Sequence, residues 1–206
     1  MPRFFIIVFL LAAHPAQAQP GLTDDRGPSP MVGTTSFSGV THTKEGELKG
    51  CGFEYKIVHQ DLSLVPARYV QLTGFFNTFY EPGADLTISF NVQGADMVVN
   101  LFGNPDVIPF DIPSAYILAG GTSTADTEQS SFSCGNGGFC AIYRETFQQI
   151  FAGLLNNEIE IHYQRQSGKP VARAQLDSVQ SEDVFAGQRR GAECFQRLLE
   201  RFKRQD

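Results

Sequence analysis

The sequence contains no tryptophan, and it holds only four cysteines and four histidines among its 206 residues. It also lacks the motifs that mark common active sites: a G-x-S-x-G nucleophile turn, a phosphate-binding P-loop, a dinucleotide fingerprint and an H-E-x-x-H zinc motif. Cys134 and Cys140 do not have the C-x-x-C spacing of thiol oxidoreductases. The corresponding enzyme classes therefore have no support in the sequence.

Metal ligands and basic clusters are sparse as well. After the first eighteen residues the histidines are His42, His59 and His162, which are far apart, whereas preformed zinc sites usually combine closely spaced ligands. Acidic residues outnumber basic ones by 22 to 16, without a basic cluster that would attract nucleic acid or an anionic membrane surface. The sequence predicts no metal site, no cofactor and no nucleic-acid partner.

One apolar run stands at the N-terminus. Residues 4–13 read FFIIVFLLAA, which at ten residues is shorter than the about 20 that a bilayer span needs. Arg3 precedes the run and Ala16-Gln17-Ala18 follows it, which is typical of a cleaved signal peptide over residues 1–18. We expect cleavage between Ala18 and Gln19, a mature chain without a transmembrane segment, and a periplasmic or secreted location in a Gram-negative bacterium.

The mature chain has the length of one domain. Residues 19–50 are poor in large apolar side chains and contain Gly27-Pro28-Ser29-Pro30, which predicts a flexible leader with one edge strand near Thr34–Val40. Residues 51–206 are predicted to form a single disulfide-stapled globular domain.

Four cysteines in an exported chain predict two disulfides. Three pairings of Cys51, Cys134, Cys140 and Cys194 are open. We favour Cys134–Cys140, because the five intervening residues include three glycines and can bend freely. The remaining pair, Cys51–Cys194, would tie the first core strand to the last helix.

Alternating apolar residues predict several short strands. The clearest is Leu86–Gln93, where Leu, Ile, Phe and Val alternate with polar side chains. We expect turns at Gly94–Asp96 and Gly103–Asp106, and a further strand over Ile112–Ala119. Short strands with turns between them favour a sandwich of antiparallel sheets.

Two helices are expected late in the chain. A helical apolar face after the cysteine-bracketed glycine loop is formed by Tyr143, Phe147, Ile150, Phe151 and Leu154, and Asn156-Asn157 is a plausible C-terminal stop. A β-hairpin over residues 158–176 follows, and residues 192–203 form a second amphipathic helix. The predicted fold class is α+β, mainly β, with one helix after the cysteine loop and one at the C-terminus.

The segment from Phe132 to Phe202 resembles the invasion-associated locus B family of exported proteobacterial proteins. The resemblance is carried by Cys134-Gly-Asn-Gly-Gly-Phe-Cys140-Ala, followed by a helix, a hairpin and a closing amphipathic helix. It implies a compact β-sandwich-like domain without known catalysis, in the periplasm or at the cell surface, with a link to host-cell invasion.

These observations favour a non-enzymatic exported domain that binds a protein or another envelope component. The alternative is a small hydrolase in which His162 acts as a general base beside Glu160, with residues 120–131 as a lid. A third hypothesis is an apolar ligand in a cavity lined by some of the eighteen phenylalanines.

Overall fold

Two antiparallel β-sheets and two helices make up the described part of the chain. The computed structural model describes residues 33–81, 83–99, 105–125, 129–168, 170–176 and 182–203. In chain order the elements are β1 (Gly33–Lys44), β2 (Glu47–Asp61), β3 (Arg68–Phe79), β4 (Ile88–Val99), β5 (Pro105–Phe110), β6 (Ser114–Ala119), β7 (Thr122–Ser123), β8 (Gln129–Cys134), β9 (Gly138–Tyr143), α1 (Phe147–Asn156), β10 (Ile159–Gln164), β11 (Ala172–Gln175) and α2 (Glu182–Lys203). The predicted α+β, mainly β class with sandwich-like sheets is confirmed.

The larger sheet, sheet A, has the strand order β1-β2-β3-β4-β9-β8. On the side of β4 opposite β3, β9 pairs with residues 88–92 and β5 pairs with residues 94–99, so the two short strands share one edge of β4. The smaller sheet, sheet B, has the order β11-β10-β6-β7. One hydrophobic core is formed by the inward side chains of both sheets together with α1 and α2.

The predicted turn at Gly94–Asp96 is wrong, because β4 runs without interruption from Ile88 to Val99. Gly94 pairs with Leu72 on one side and Phe110 on the other. A Cβ atom on Gly94 would lie 2.3 Å from Phe110 Cζ, so this glycine makes room for an aromatic ring rather than for a turn.

The cysteine-bracketed loop is the turn of a β-hairpin. Cys134 ends β8, and Cys140 lies in β9. Tyr143 is the last residue of β9, so it does not belong to the predicted helix. Tyr143 is fully buried, and α1 begins four residues later at Phe147. The predicted stop is confirmed: Asn157 caps α1 in the left-handed conformation, with φ 59°.

The edge strand predicted near Thr34–Val40 is confirmed as β1, but it is longer than predicted, so residues 33–50 are not a flexible leader. β1 is twelve residues long and pairs with β2 from Gly33 opposite Val58 to Lys44 opposite Glu47. It lies at the edge of sheet A, and α2 packs against it. Residues 19–32, like the signal peptide predicted over residues 1–18, lie outside the described residues.

The C-terminal helix is longer than predicted, because it begins at Glu182 rather than at residue 192. Gly187 and Gly191, which are weak helix formers, allow α2 to approach the sheet closely. A Cβ on Gly191 would lie 2.1 Å from Phe53 Cε1, and one on Gly39 would lie 2.4 Å from the Gly191 nitrogen.

Both predicted disulfides are present. Cys51–Cys194 joins β2 to α2 over a sequence separation of 143, and Cys134–Cys140 closes the β8–β9 hairpin. Disulfides are rare in the cytoplasm, so this pair indicates an oxidising compartment. Neither described helix is long and apolar enough to cross a membrane.

Candidate functional site

The predicted residues His162 and Glu160 lie together on the outer face of sheet B. His162 Nε2 is 3.1 Å from Glu160 Oε2, and the imidazole ring stacks on Tyr116 with the ring centres 4.7 Å apart. Glu160 lines a shallow depression of about 350 Å³ beside Gly120 and Gly121, but His162 is not part of its wall. His162 therefore contacts Glu160 in its own strand and Tyr116 in the neighbouring strand, on the surface of sheet B.

The predicted lid over residues 120–131 is partly regular structure. Gly120 and Gly121 form a turn with positive φ values of 53° and 81°, and β7 and the start of β8 follow. Residues 126–128 lie outside the described residues.

The three histidines do not converge. His42, in β1, contacts the Phe79 ring and its Nε2 lies 3.1 Å from Asn77 Oδ1. His59 is buried near the C-terminal end of β2. Within the described ranges no group of three or more His, Cys, Asp or Glu side chains could hold a metal ion.

A buried polar cluster that sequence reasoning missed lies where β2 meets β10. Tyr163 Oη is 3.0 Å from His59 Nε2 and donates to Asp61 Oδ2 over 3.2 Å. All three residues are buried, and the Asp61 side chain has no exposed surface. The signal was present in the sequence, since the inward alternation of Phe53, Tyr55 and Ile57 continues directly onto His59 and Asp61.

Burial governs the protonation of this cluster. Desolvation raises the pKa of Tyr163 well above its ordinary value, and the nearby Asp61 charge raises it further. Desolvation lowers the pKa of His59, against a smaller opposing effect of Asp61. At neutral pH the phenol is therefore protonated and donates a hydrogen bond, and the imidazole is neutral.

Two arginines extend the cluster to the surface. Arg165 donates through Nη2 to Asp96 Oδ2 over 2.8 Å, and its Nη1 lies 3.9 Å from Asp61 Oδ2. Its guanidinium carbon is 3.7 Å from the centre of the Phe110 ring. Arg68 reaches the same Asp96 oxygen at 3.3 Å. Two cations thus balance two buried carboxylates, as buried charges require.

Asp61 also fixes the β2–β3 loop. Its Oδ1 accepts hydrogen bonds from the Ser63 nitrogen at 2.9 Å and from Ser63 Oγ at 2.5 Å. The loop that follows Asp61 exposes apolar side chains: Leu62 is 76% exposed, and Val65 is completely exposed. The carboxylate that completes the buried cluster therefore also holds an apolar loop in place.

This loop, β5 and the end of β10 surround a cleft of about 620 Å³, which we call the end cleft. Its volume lies within the range of small-ligand sites, about 300–1,000 Å³. The following residues line it: Ser63, Leu64, Val65, Pro66, Arg68, Phe110, Asp111, Arg165, Gln166 and Pro170.

Exposed aliphatic side chains lie in the end cleft and on the segments that adjoin it. Val98 and Ile108 lie on the same face of sheet A as Asp96. Val98 is two residues after Asp96 in β4, and Ile108 is the partner of Asp96 in β5. Val171 follows the lining residue Pro170, and Leu62 and Val65 belong to the loop. These are five of the nine large hydrophobic side chains that are exposed among the described residues, so the apolar surface is concentrated at this end.

The serine in the end cleft and the nearby histidine both have other hydrogen-bond partners. The Ser63 hydroxyl donates a hydrogen bond to the Asp61 carboxylate, and His59 contacts the Tyr163 hydroxyl. The serine and the histidine are therefore not arranged as nucleophile and base.

Comparison of the chain with protein-family models, with curated proteins and with solved structures found no match. The resemblance to the invasion-associated locus B family is not tested by these comparisons and stays a prediction. The function must therefore be argued from the geometry of the chain itself.

Proposed function

We propose that this protein is a non-enzymatic exported domain that binds a partner or ligand in the envelope, and that the end cleft is its binding site. The observation that carries the proposal is the group of exposed aliphatic side chains in and beside the segments that form the cleft, which also holds arginine side chains. Exposed apolar groups cost free energy in water, and they mark binding surfaces when they are concentrated in one place.

The rigidity of the site supports this proposal. Arg165 is held by Asp96 and by stacking on Phe110, and the loop is held by Asp61. A site whose side chains are fixed before binding loses less conformational entropy when the ligand enters. The buried cluster therefore keeps Arg165 and the β2–β3 loop in the positions that form the cleft before a ligand binds.

Export supports an envelope role. The proposal places the protein in the periplasm or outside the cell after cleavage between Ala18 and Gln19, in line with the two disulfides. Terminal sequencing of the exported protein tests this step, and a mature N-terminus at a position other than Gln19 would contradict it. A role in host-cell invasion, implied by the family resemblance, remains part of the proposal.

Photo-crosslinking tests the binding site. A benzoyl-phenylalanine at Val65 replaces a completely exposed side chain, and the same group at Leu155, which is 39% exposed on α1, is the matched control. The helix α1, which carries Leu155, contacts Ile159 at the start of β10. Arg165, which lines the end cleft, follows the opposite end of β10, so the control lies away from the cleft.

Irradiation of cells that export each variant should give a mass adduct at position 65 and none at position 155. Equal adducts at both positions, or none at position 65, would overturn the assignment of the end cleft as the binding site.

A further inference from the structure

We infer that the end cleft takes a ligand with an apolar body and a single carboxylate, and that the carboxylate binds Arg68. This inference rests on the proposed function and names the chemical class that the cleft would recognise. Two sources share this chemistry, an aliphatic carboxylic acid and the C-terminus of a peptide.

Of the two described arginines in the end cleft, Arg68 is the one available to a ligand. Its side chain is 58% exposed, and among the described residues it makes one polar contact, of 3.3 Å to an Asp96 oxygen. Arg165 already occupies that oxygen at 2.8 Å. A guanidinium has five donors in a planar fork that matches a carboxylate, so Arg68 retains donors for a second, bidentate partner.

Arg165 lies in the wall of the end cleft, where its charge is paired with Asp96. Its side chain is 15% exposed, and its Nη1 has no hydrogen-bond partner among the described residues. The ion pair with Asp96 and the Phe110 ring keep it in place, so we assign it a positioning role rather than direct contact with the ligand.

The carboxylates at the end cleft favour a ligand group of low negative charge. Among the described residues, Asp61 and Asp96 offset Arg68 and Arg165, and Asp111 adds one exposed carboxylate to the wall. A phosphate group, which carries nearly two charges at neutral pH, would be repelled by Asp111 more strongly than a carboxylate. A single carboxylate can instead take the free side of Arg68.

Apart from the charged residues and the polar Ser63 and Gln166, the wall is apolar. Leu64, Val65, Pro66 and Pro170 face the cleft, together with the Phe110 ring, one side of which is covered by Arg165. An aliphatic or aromatic body against these side chains removes apolar surface of both partners from water. The combination of an apolar wall and one available arginine defines the ligand class.

The test is a titration of the mature, disulfide-intact chain followed by amide nuclear magnetic resonance. The probes are octanoate, octan-1-ol, the peptide acetyl-Gly-Leu-Leu with a free carboxylate, and the same peptide as its amide. The variants are Arg68→Gln, Arg68→Lys and, as a charge-matched control on the exposed surface of α2, Arg197→Gln.

We expect at least one carboxylate probe to shift amides of residues 63–68, 110–111 and 165–170 saturably. Its neutral analogue should bind about tenfold more weakly, as expected for the loss of a charge-assisted hydrogen bond. Arg68→Gln should lower the affinity by a similar factor, Arg68→Lys by less, and Arg197→Gln should leave it unchanged. Preference for octanoate or for the peptide acid identifies the source.

The inference is overturned if no probe shifts these amides, or if acid and neutral analogue bind equally. It is also overturned if Arg68→Gln binds as the unsubstituted protein does. Any of these results would leave the proposed function standing if the crosslink at position 65 is still formed, so the two proposals fail separately.

Discussion

Arg165 donates through Nη2 to Asp96 Oδ2 over 2.8 Å, in an ion pair whose side chains are only 15% and 11% exposed. Such a pair contributes little net stability, because the attraction between the charges is offset by the cost of removing both from water. Removal of one partner is costly, however, because it leaves the other charge buried and unpaired. The pair therefore fixes the position of the end cleft more than it stabilises the fold.

We predict that Asp96→Ala lowers the free energy of unfolding by about 3 kcal/mol or more, since Arg165 would lose its closest counter-charge. Asp85→Ala is the control, because Asp85 is exposed and lies 4.0 Å from the exposed Arg144; its effect should be within about 0.5 kcal/mol. Urea unfolding measures both. Equal effects of the two substitutions would show that the Asp96–Arg165 pair behaves as a surface pair.

Tyr163→Phe should lower the free energy of unfolding by about 1–3 kcal/mol, because Asp61 would lose a donor in a site without water access. Tyr116→Phe, on the outer face of the adjacent strand, is the matched control and should be close to neutral. An unchanged urea midpoint for Tyr163→Phe would contradict the hydrogen bond from Tyr163 to Asp61.

The stability should fall with acid in a way that depends on His59. Burial lowers the pKa of His59 in the folded chain, so between that pKa and about 6.5 the unfolded chain binds more protons than the folded one. Stability is therefore complete above about pH 6.5 and decreases as the pH falls below it. Urea midpoints between pH 7.5 and pH 5 should decline less steeply in His59→Phe. Parallel declines in both proteins would refute the effect.

Gly191→Ala should destabilise the protein by about 1–3 kcal/mol, although the same change in an exposed helix normally stabilises it by nearly 1 kcal/mol. The reason is that the added Cβ would lie 2.1 Å from a Phe53 ring carbon. Gly135→Ala is the control, since a Cβ there would meet no atom within 4 Å. A higher melting temperature for Gly191→Ala would contradict the close packing of α2 on β2.

The two disulfides should differ in their contribution to stability. On the chain-entropy model the 143-position separation of Cys51 and Cys194 corresponds to about 5 kcal/mol, and the six-position separation of Cys134 and Cys140 to about 2 kcal/mol. Thermal unfolding of the two double alanine variants should rank them in that order. The reverse order would show that the hairpin disulfide, not the strand-to-helix disulfide, dominates stability.

Much of the fold could be predicted because local patterns agree with it. The alternation around Ile88, Phe90 and Val92 predicted a strand, and the spacing of Phe147, Ile150 and Leu154 predicted a helix. The favoured disulfide pairing, chosen because glycines separate Cys134 from Cys140, is confirmed. Where the prediction failed, a tertiary contact decided the outcome: Phe110 fills the space of Gly94, and β1, which α2 covers, extends beyond the short edge strand that was predicted.

The candidate site was less predictable than the fold. His162 drew attention because carboxylates flank it in the sequence, yet it stacks on Tyr116 at the surface of a sheet. The buried cluster joins residues more than one hundred positions apart, such as His59 and Tyr163, so no local spacing marks it. Only the continuation of an inward-facing strand pattern onto His59 and Asp61 pointed to that place.

Hydroxyl-radical labelling of the exported protein, in intact cells and after purification, tests the binding role of the end cleft most directly. The account predicts that Leu62 and Val65 are labelled several-fold less in cells than in the purified protein, because a ligand or partner covers them. Leu155 and Phe132, which are exposed on α1 and β8, should be labelled equally in both samples. Equal labelling of Leu62 and Val65 in the two samples would contradict the assignment.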